Sequence, residues 1–186
     1  MKKHFVLAIG LALASLSAPA MAEGQGFVRF EAGSSDVEFE FDGFRGSDED
    51  TAYGVRGGYW FNPNVAIEGF YTRYYSQRYD DGFESASLKL HAVGVGVVGK
   101  KNFGGDQQGF YISGRGGFAR GVATVDVDGS VEEADAGDVK PYVGVGVGYD
   151  FSPGFGLGLN YDQVKGGDEG LDVTARTLTL GLELRI

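Results

Sequence analysis

Four ionisable residues fall inside segments that otherwise alternate between apolar and polar side chains: Glu68, Lys89, His91 and Arg115. Because successive side chains of a strand point to opposite faces, we expect these four to share the polar face. Such a cluster has two uses. It can fill an enclosed space with paired charges, since unpaired buried charge is costly, or it can form the charged constriction of a narrow aqueous path.

His91 is also the residue best suited to acid–base chemistry, because the only other histidine, His4, lies in a segment that we expect to be removed. Ser87 or Ser113 could lie near it, but no Gly-x-Ser-x-Gly motif is present and no spacing requires a nucleophile beside the imidazole. We therefore predict no catalytic residue, no enzyme activity, no cofactor and no metal site.

The elements that must position these residues are strands. The last ten residues, TLTLGLELRI, alternate throughout and place one set of aliphatic side chains on a single face: Leu178, Leu180, Leu182, Leu184 and Ile186. Similar alternation predicts eight strands over 26–35, 51–61, 65–76, 86–99, 109–123, 139–151, 155–164 and 173–186. The sequence thus predicts an all-β protein.

The first 22 residues combine two lysines, an apolar run and small residues before Glu23, which is typical of a secretory signal peptide. We expect residues 1–22 to be removed and residues 23–186 to form one domain. Removal of Lys2 and Lys3 changes the formal charge from −10 to −12, which argues against a nucleic-acid partner. The chain has no cysteine, so no disulfide framework stabilises it.

The predicted connections alternate in length. Residues 62–64, 100–108 and 152–154 are short or moderate, whereas 36–50, 77–85, 124–138 and 165–172 are longer and charged. An even number of antiparallel strands with short turns at one end and long loops at the other is typical of a transmembrane β-barrel of the bacterial outer membrane. The alternative is a soluble lipocalin-like barrel, in which the two faces would be reversed.

The sequence resembles the small outer-membrane β-barrel family, including the transmembrane domain of outer membrane protein A. The resemblance rests on GGYWFNPNVAIEGFY at 57–71, KPYVGVGVGYDFSPGFGLGLNYDQ at 140–163 and LTLGLELRI at the end. It implies eight strands with short periplasmic turns and longer extracellular loops, a luminal glutamate at Glu68, and a closing strand that the outer-membrane assembly machinery reads.

Two departures from the family limit what the resemblance implies. The chain ends in Ile186 instead of an aromatic residue, which weakens the assembly signal. Gly148 and Gly158 replace charges that outer membrane protein A carries in its lumen, so its full salt-bridge network cannot be transferred. We expect the inner glycines, among them these two, to leave free volume beside the charge cluster.

Two segments between predicted strands are strongly acidic. The acidic residues in or beside them are Asp36, Glu38, Glu40, Asp42, Asp48, Glu49 and Asp50 in the first, and Asp126, Asp128, Glu132, Glu133, Asp135 and Asp138 in the other. They form either a solvated rim or a surface where divalent cations bridge carboxylates to lipopolysaccharide phosphates. DVDGSVEE at 126–133 lacks an acidic position of a calcium loop and predicts a hairpin turn instead.

These observations predict an integral protein of the bacterial outer membrane with a structural or porin-like role, and with lipid, lipopolysaccharide and the assembly machinery as its partners. The alternative is a surface adhesin or ligand-binding protein that acts through its acidic and aromatic loops. Loop aromatic residues would supply contacts for such binding: Phe39, Phe41, Phe44, Tyr74, Tyr75, Tyr79 and Phe83.

Overall fold

The structure is a computed structural model that describes residues 24–41, 44–80, 85–105, 107–127, 130–135, 139–168 and 171–186. Near one end of the strands it describes the backbone and not the side chains, over 39–41, 44–45, 47–48, 75–80, 85–89, 123–127, 130–135, 166–168 and 171–173. The predicted signal peptide lies outside the described residues. No helix in the described part of the chain is long and apolar enough to cross a membrane.

Nine antiparallel strands make up the fold of these described residues. They are β1 (Gln25–Phe41), β2 (Phe44–Asn62), β3 (Val65–Asp80), β4 (Ser85–Asn102), β5 (Gly109–Val127), β6 (Ser130–Asp135), β7 (Lys140–Ser152), β8 (Phe155–Asp168) and β9 (Leu171–Arg185).

The sheet closes on itself, because β1 pairs with both β2 and β9, and β4 pairs with β5. The short strand β6 pairs with the far part of β5, over 122–127, and β7 pairs with the near part, over 109–119. These two strands therefore occupy one position of the wall, and the barrel has eight. The predicted fold class, an eight-stranded antiparallel barrel, is confirmed.

The two faces of the wall differ in chemistry. Outward side chains between the two ends of the barrel are mostly aliphatic or aromatic, as in Val95, which is 65% exposed, and Leu180, which is 59% exposed. Inward positions carry charged residues, threonines, glycines and a few aromatic rings. A soluble barrel would bury its apolar face, so the lipocalin-like alternative does not fit this arrangement.

The strands extend further than the sequence predicted. Residues 36–50, expected as a loop, are mostly strand, because β1 and β2 remain paired from Gln25 and Trp60 to Phe41 and Phe44. Most of 77–85, 124–138 and 165–172 is likewise strand. Charged residues in these segments predict loops, but a strand that extends beyond the membrane has an outer face in contact with water and tolerates them.

The opposite end of the barrel is formed by tight connections at 63–64 and 153–154 and by a moderate one at 103–108. In the first of these, the Asn62 side chain accepts hydrogen bonds from the backbone N–H groups of Asn64 (2.8 Å) and Val65 (3.0 Å). We call this the turn end, and we call the end with the extended strands the loop end. In the family's arrangement the turn end faces the periplasm.

The barrel is strongly staggered. The stagger is seen by starting at Arg73 on β3 and moving around the barrel, along a line from each residue to its paired partner on the next strand. These partners are, in order, Tyr53, Ala32, Leu180, Leu159, Val147, Ile112 and Lys101. Because Val65 pairs with Gly99, extending this register by two residues places Lys101 at the level of Pro63. The line thus returns to β3 ten residues nearer the turn end. Eight strands leave an interior that side chains can fill.

Candidate functional site

Two of the predicted site residues, Glu68 and Arg115, lie deep in the interior. The Glu68 side chain is 0% exposed and that of Arg115 is 3% exposed. The polar parity of β3 and β5 brings them to a common centre, where each takes part in the same set of ion pairs.

Arg56 lies at the middle of this set. Its Nε donates to Glu31 (2.8 Å), its Nη1 donates to Glu68 (2.9 Å), and its Nη2 is 3.5 Å from Asp162. Arg115 completes the group through a 2.8 Å bond to Glu31 and two bonds to Asp162. Two arginines and three carboxylates from five strands thus share one buried cluster, in which planar guanidinium groups bind carboxylates through several N–H donors.

A chain of further ion pairs runs from this centre to the turn end. Arg29 binds Glu183, Glu183 accepts from Arg185 Nε at 2.6 Å, and Arg185 donates to Asp150 at 2.9 Å. Lys100 Nζ lies 2.6 Å from the other oxygen of Asp150. Since Arg29 also lies 3.9 Å from Glu31, the two groups are continuous.

We call these ten residues the inner network. Its cations are Arg29, Arg56, Lys100, Arg115 and Arg185, and its anions are Glu31, Glu68, Asp150, Asp162 and Glu183. The formal charges of these ten groups cancel, and none of their side chains is more than 4% exposed. A charge-selective pore would present a ring of one sign to water, whereas this arrangement pairs the charges with each other.

Apolar side chains close the interior on both sides of the centre. The loop-end cluster consists of Val37, Phe70, Tyr74, Ala92, Ala119, Tyr142, Val164 and Ala175. The turn-end cluster consists of Phe27, Trp60, Ala66 and Val98. The rings of Phe70 and Tyr142 meet at 4.8 Å near the centre, and the Tyr142 hydroxyl donates to Glu68 Oε1 at 2.6 Å.

The inner glycines do not leave the free volume that the sequence suggested. Gly148 and Gly158 both face the Tyr111 ring, and a Cβ atom added at either would collide with its hydroxyl end. Gly96 and Gly117 similarly receive the ring of Tyr142. A glycine opposite a tyrosine lets the ring cross the lumen, so the rings occupy the space where the family carries charges.

The prediction for His91 was wrong. The residue has the same parity as Val93, which is 41% exposed on the outer face, and its ring lies 5.3 Å from that of outward-facing Tyr71. Alternation along β4 therefore excludes His91 from the lumen. Lys89 pairs with Ser76 and Thr124, and its side chain lies outside the described part of the structure.

Comparison with known families identifies the fold. A family model described as the outer membrane protein beta-barrel domain matches residues 8–185. The chain belongs to the outer membrane protein beta-barrel family. Membership makes it an integral outer-membrane protein, as predicted, and confirms the resemblance noted in the sequence.

Solved structures with the same fold include neisserial surface protein A, with a TM-score of 0.66 and 18% identity over 89% of this chain and 100% of that one. The N-terminal β-barrel domain of Pseudomonas aeruginosa OprF gives 0.53 and 18%, over 88% and 100%. Ail, the attachment invasion locus protein of Yersinia pestis, gives 0.53 and 17%, over 86% and 99%. No curated protein sequence matches significantly.

The closing strand of the barrel presents its apolar residues to lipid. Leu178, Leu180 and Leu184 are 47%, 59% and 44% exposed, while Thr177, Thr179 and Glu183 are buried on the other face. Leu182 and Ile186 share the outward parity. Recognition of this strand by the assembly machinery stays a prediction.

Sequence reasoning missed eight of the ten network residues, although strand parity could have found most of them. Arg29 and Glu31 alternate with Val28 and Phe30, and Glu183 lies on the polar face of the closing strand. Glu68 follows both from strand parity and from the family's luminal glutamate. The other interior charges follow from the same alternation.

Metal binding has no support in the described part of the chain, where no group of three or more His, Asp or Glu side chains is placed to hold an ion. The side chains of the acidic segment 126–138 lie outside the described residues, so the binding of divalent cations by these carboxylates stays a prediction. At the centre, Glu68 Oε2 and Thr72 Oγ1 are buried without a hydrogen-bond partner among the described residues.

Proposed function

We propose that this protein is a structural barrel of the outer membrane whose lumen is closed to solutes and ions. The observation that supports the proposal is the inner network, in which five cations and five anions pair with each other along the lumen. One apolar cluster lies on the loop-end side of its centre, and the other lies beside its turn-end part. A porin needs a continuous wet path, and the side chains here occupy the cross-section at three successive levels. The narrow pore considered from the sequence is therefore the weaker interpretation.

The energetics favour a permanent closure. Opening a path along the axis requires that paired, desolvated charges separate, and breaking one buried pair costs about 3–5 kcal/mol. Arg56 binds three carboxylates and its guanidinium also lies 4.4 Å from the centre of the Phe70 ring. Movement of this one side chain would disturb both the network and the loop-end cluster.

Conductance in planar lipid bilayers tests the proposal. The wild-type barrel is expected to give no single-channel steps above the baseline. A variant with Phe70→Ala and Tyr142→Ala should also stay closed, because the inner network and the turn-end cluster remain after the two rings are removed. Gly114→Ala, an outward change in open space, is the matched control. Regular channel steps from the wild-type protein would reject a closed lumen.

Surface binding is the second candidate, and the length of the strands favours it. A membrane-spanning strand needs about 9–11 residues, whereas β1 has 17 and β2 has 19. The excess lies at the loop end, where β1 and β2 form a hairpin that projects beyond the apolar belt. Ail, which shares the fold, is an attachment protein by name, and has been crystallised with the heparin analogue sucrose octasulfate.

A hairpin deletion separates the two candidates. Joining Val37 to Asp48 by a short turn shortens the β1–β2 hairpin at a paired position and leaves the inner network intact. If the extension carries binding, cells that display the shortened barrel should lose adhesion to host cells while the protein still folds. Unchanged adhesion relative to cells with the full barrel would leave the hairpin without this role.

A further inference from the structure

Among the side chains that the structure describes, five basic residues face outward near the loop end of the barrel, on five different strands. They are Arg73, His91, Arg120, Lys165 and Arg176 on β3, β4, β5, β8 and β9. Each has the parity of the apolar outer face of its own strand. We call this set the basic ring, and its position is independent of whether the lumen conducts.

The stagger of the barrel brings these residues to one height. The line of paired residues described above moves ten residues toward the turn end as it crosses eight strands. Two residues on neighbouring strands are therefore at the same height when one of them lies about 1.25 residues further toward the loop end than the partner that this line assigns to it. Arg73 pairs with His91, Val93 pairs with Arg120, and Gln163 pairs with Arg176. After this correction, all five lie within about 1.25 residues of a common level. The outward residues of the other three strands at that level are Pro141, Ser34 and Thr51.

The apolar belt begins one outward position below the ring. On β3, β5 and β2 the next outward residues toward the turn end are Tyr71, Phe118 and Tyr53, which are 43%, 60% and 50% exposed. Tyrosines and phenylalanines at the edge of an apolar belt mark the boundary between hydrocarbon and headgroups. The basic side chains therefore lie at the level of the lipid headgroups.

The turn end has a different boundary. On β3 this boundary lies at Val65, eight residues from Arg73 toward the turn end. At the usual strand rise and tilt, the two boundaries are about 20 Å apart along the barrel axis. The outward residues there are mainly aromatic: Tyr59, Phe110, Tyr149 and Phe155. Among the described outward residues at this level, Lys101 is the single basic one. Five basic positions at one boundary and one at the other match a membrane whose two leaflets differ in charge.

The side chains of the ring are suited to phosphate. The Arg73 guanidinium lies 5.3 Å from the centre of the Tyr53 ring, which fixes it at the boundary. Arg176 donates to Glu38 at 2.5 Å through one of its five N–H donors, so it retains others for a second anion. Guanidinium groups bind phosphate oxygens in pairs.

We propose that the basic ring binds the phosphate groups of lipid A, the phosphorylated glycolipid anchor of lipopolysaccharide, in the outer leaflet. The acyl chains would lie against the apolar belt, and the phosphates would lie one step higher, beside the arginines of β3 and β5. This contact is direct and differs from cation bridging at the acidic segments. Ser34 and Thr51 mark an arc of the barrel without basic residues, where such lipid would be bound less tightly.

Competition for a fluorescent diphosphoryl lipid A in neutral detergent micelles tests the proposal on the wild-type chain. Unlabelled diphosphoryl lipid A should displace the probe at least tenfold better than lipid A whose phosphates have been removed. Inorganic phosphate should not displace it, because the lipid contributes the apolar contacts. Equal competition by the dephosphorylated lipid would overturn the proposal, and equal competition by inorganic phosphate would assign the site to free phosphate.

A variant locates the site. The combination Arg73→Gln, Arg120→Gln and Lys165→Gln should weaken the probe's binding at least tenfold, while Lys101→Gln at the other boundary should change it less than twofold. Unchanged affinity in a folded triple variant would overturn the assignment to this ring. Folding is checked by heat-modifiable mobility on an unboiled gel, and if the triple variant does not fold, the three single variants and the wild-type competition decide the question.

Discussion

Replacing Arg56 by methionine should destabilise the barrel more than any change to an outward charge. Methionine keeps an apolar stem beside Phe70 but removes the donors that bind Glu31, Glu68 and Asp162. Glu31 and Asp162 retain Arg115, whereas Glu68 keeps only the Tyr142 hydroxyl. The variant thus leaves one buried carboxylate without a cation in direct contact.

The magnitude follows from that uncompensated charge. Removing one partner of a buried ion pair costs about 3–5 kcal/mol of the free energy of unfolding. Glu68→Gln should cost less, about 1.5–3 kcal/mol, because Arg56 would still bind two carboxylates. In the double variant the network is neutral again, so its loss should be smaller than the sum of the two single losses by about 1–3 kcal/mol.

Urea unfolding in lipid vesicles measures these losses, with the fluorescence of Trp60 as the reporter. Trp60 is the only tryptophan of the chain and is buried in the turn-end cluster. The outward change Lys101→Gln is the control and should alter the free energy of unfolding by less than about 0.5 kcal/mol. A loss below about 1 kcal/mol for Arg56→Met, or strict additivity in the double variant, would refute the pairing of these two charges.

Three further substitutions test other parts of the fold. Leu180→Arg should cost about 2–4 kcal/mol in urea unfolding, because the residue lies near the middle of the apolar belt, whereas Thr51→Arg at the headgroup level should be tolerated. Gly148→Val should cost about 1–3 kcal/mol by collision with Tyr111, and Gly114→Ala, in open space, should have little effect. Tyr142→Phe should cost about 1.5–3 kcal/mol through its bond to Glu68; a neutral result would mean that the carboxylate finds another donor.

The fold class and the two faces of most strands could be predicted from the sequence, because alternation is a local property. TLTLGLELRI specifies both faces of β9 without reference to any other strand. The turns at 62–64 and 152–154 are predicted by a proline flanked by asparagine, serine or glycine. Strand ends were harder to predict. Residues 36–41 alternate acids with apolar residues, a pattern that fits an extended strand in water as well as a charged loop.

The site depended on information that one strand does not contain. His91 was assigned to the lumen although Val93 and Val95 fix the opposite parity, so this error could have been avoided from the sequence. The pairing of Arg56 with Glu31 and Asp162 could not be predicted, because it depends on the register and stagger of β1, β2 and β8. The contacts of Tyr111 with Gly148 on β7 and Gly158 on β8 could not be predicted for the same reason.

Hydrogen exchange of arginine side chains, measured by NMR on the barrel in lipid nanodiscs, tests the closed inner network most directly. The Nε–H groups of Arg29, Arg56 and Arg115 each donate to a buried carboxylate, so they should exchange with water much more slowly than that of Arg176, whose side chain is 35% exposed on the outer face and binds Glu38 through Nη1. Slow exchange of all three interior groups is the predicted result. Exchange as fast as that of Arg176 would mean that water reaches the centre of the lumen and that the network is not closed.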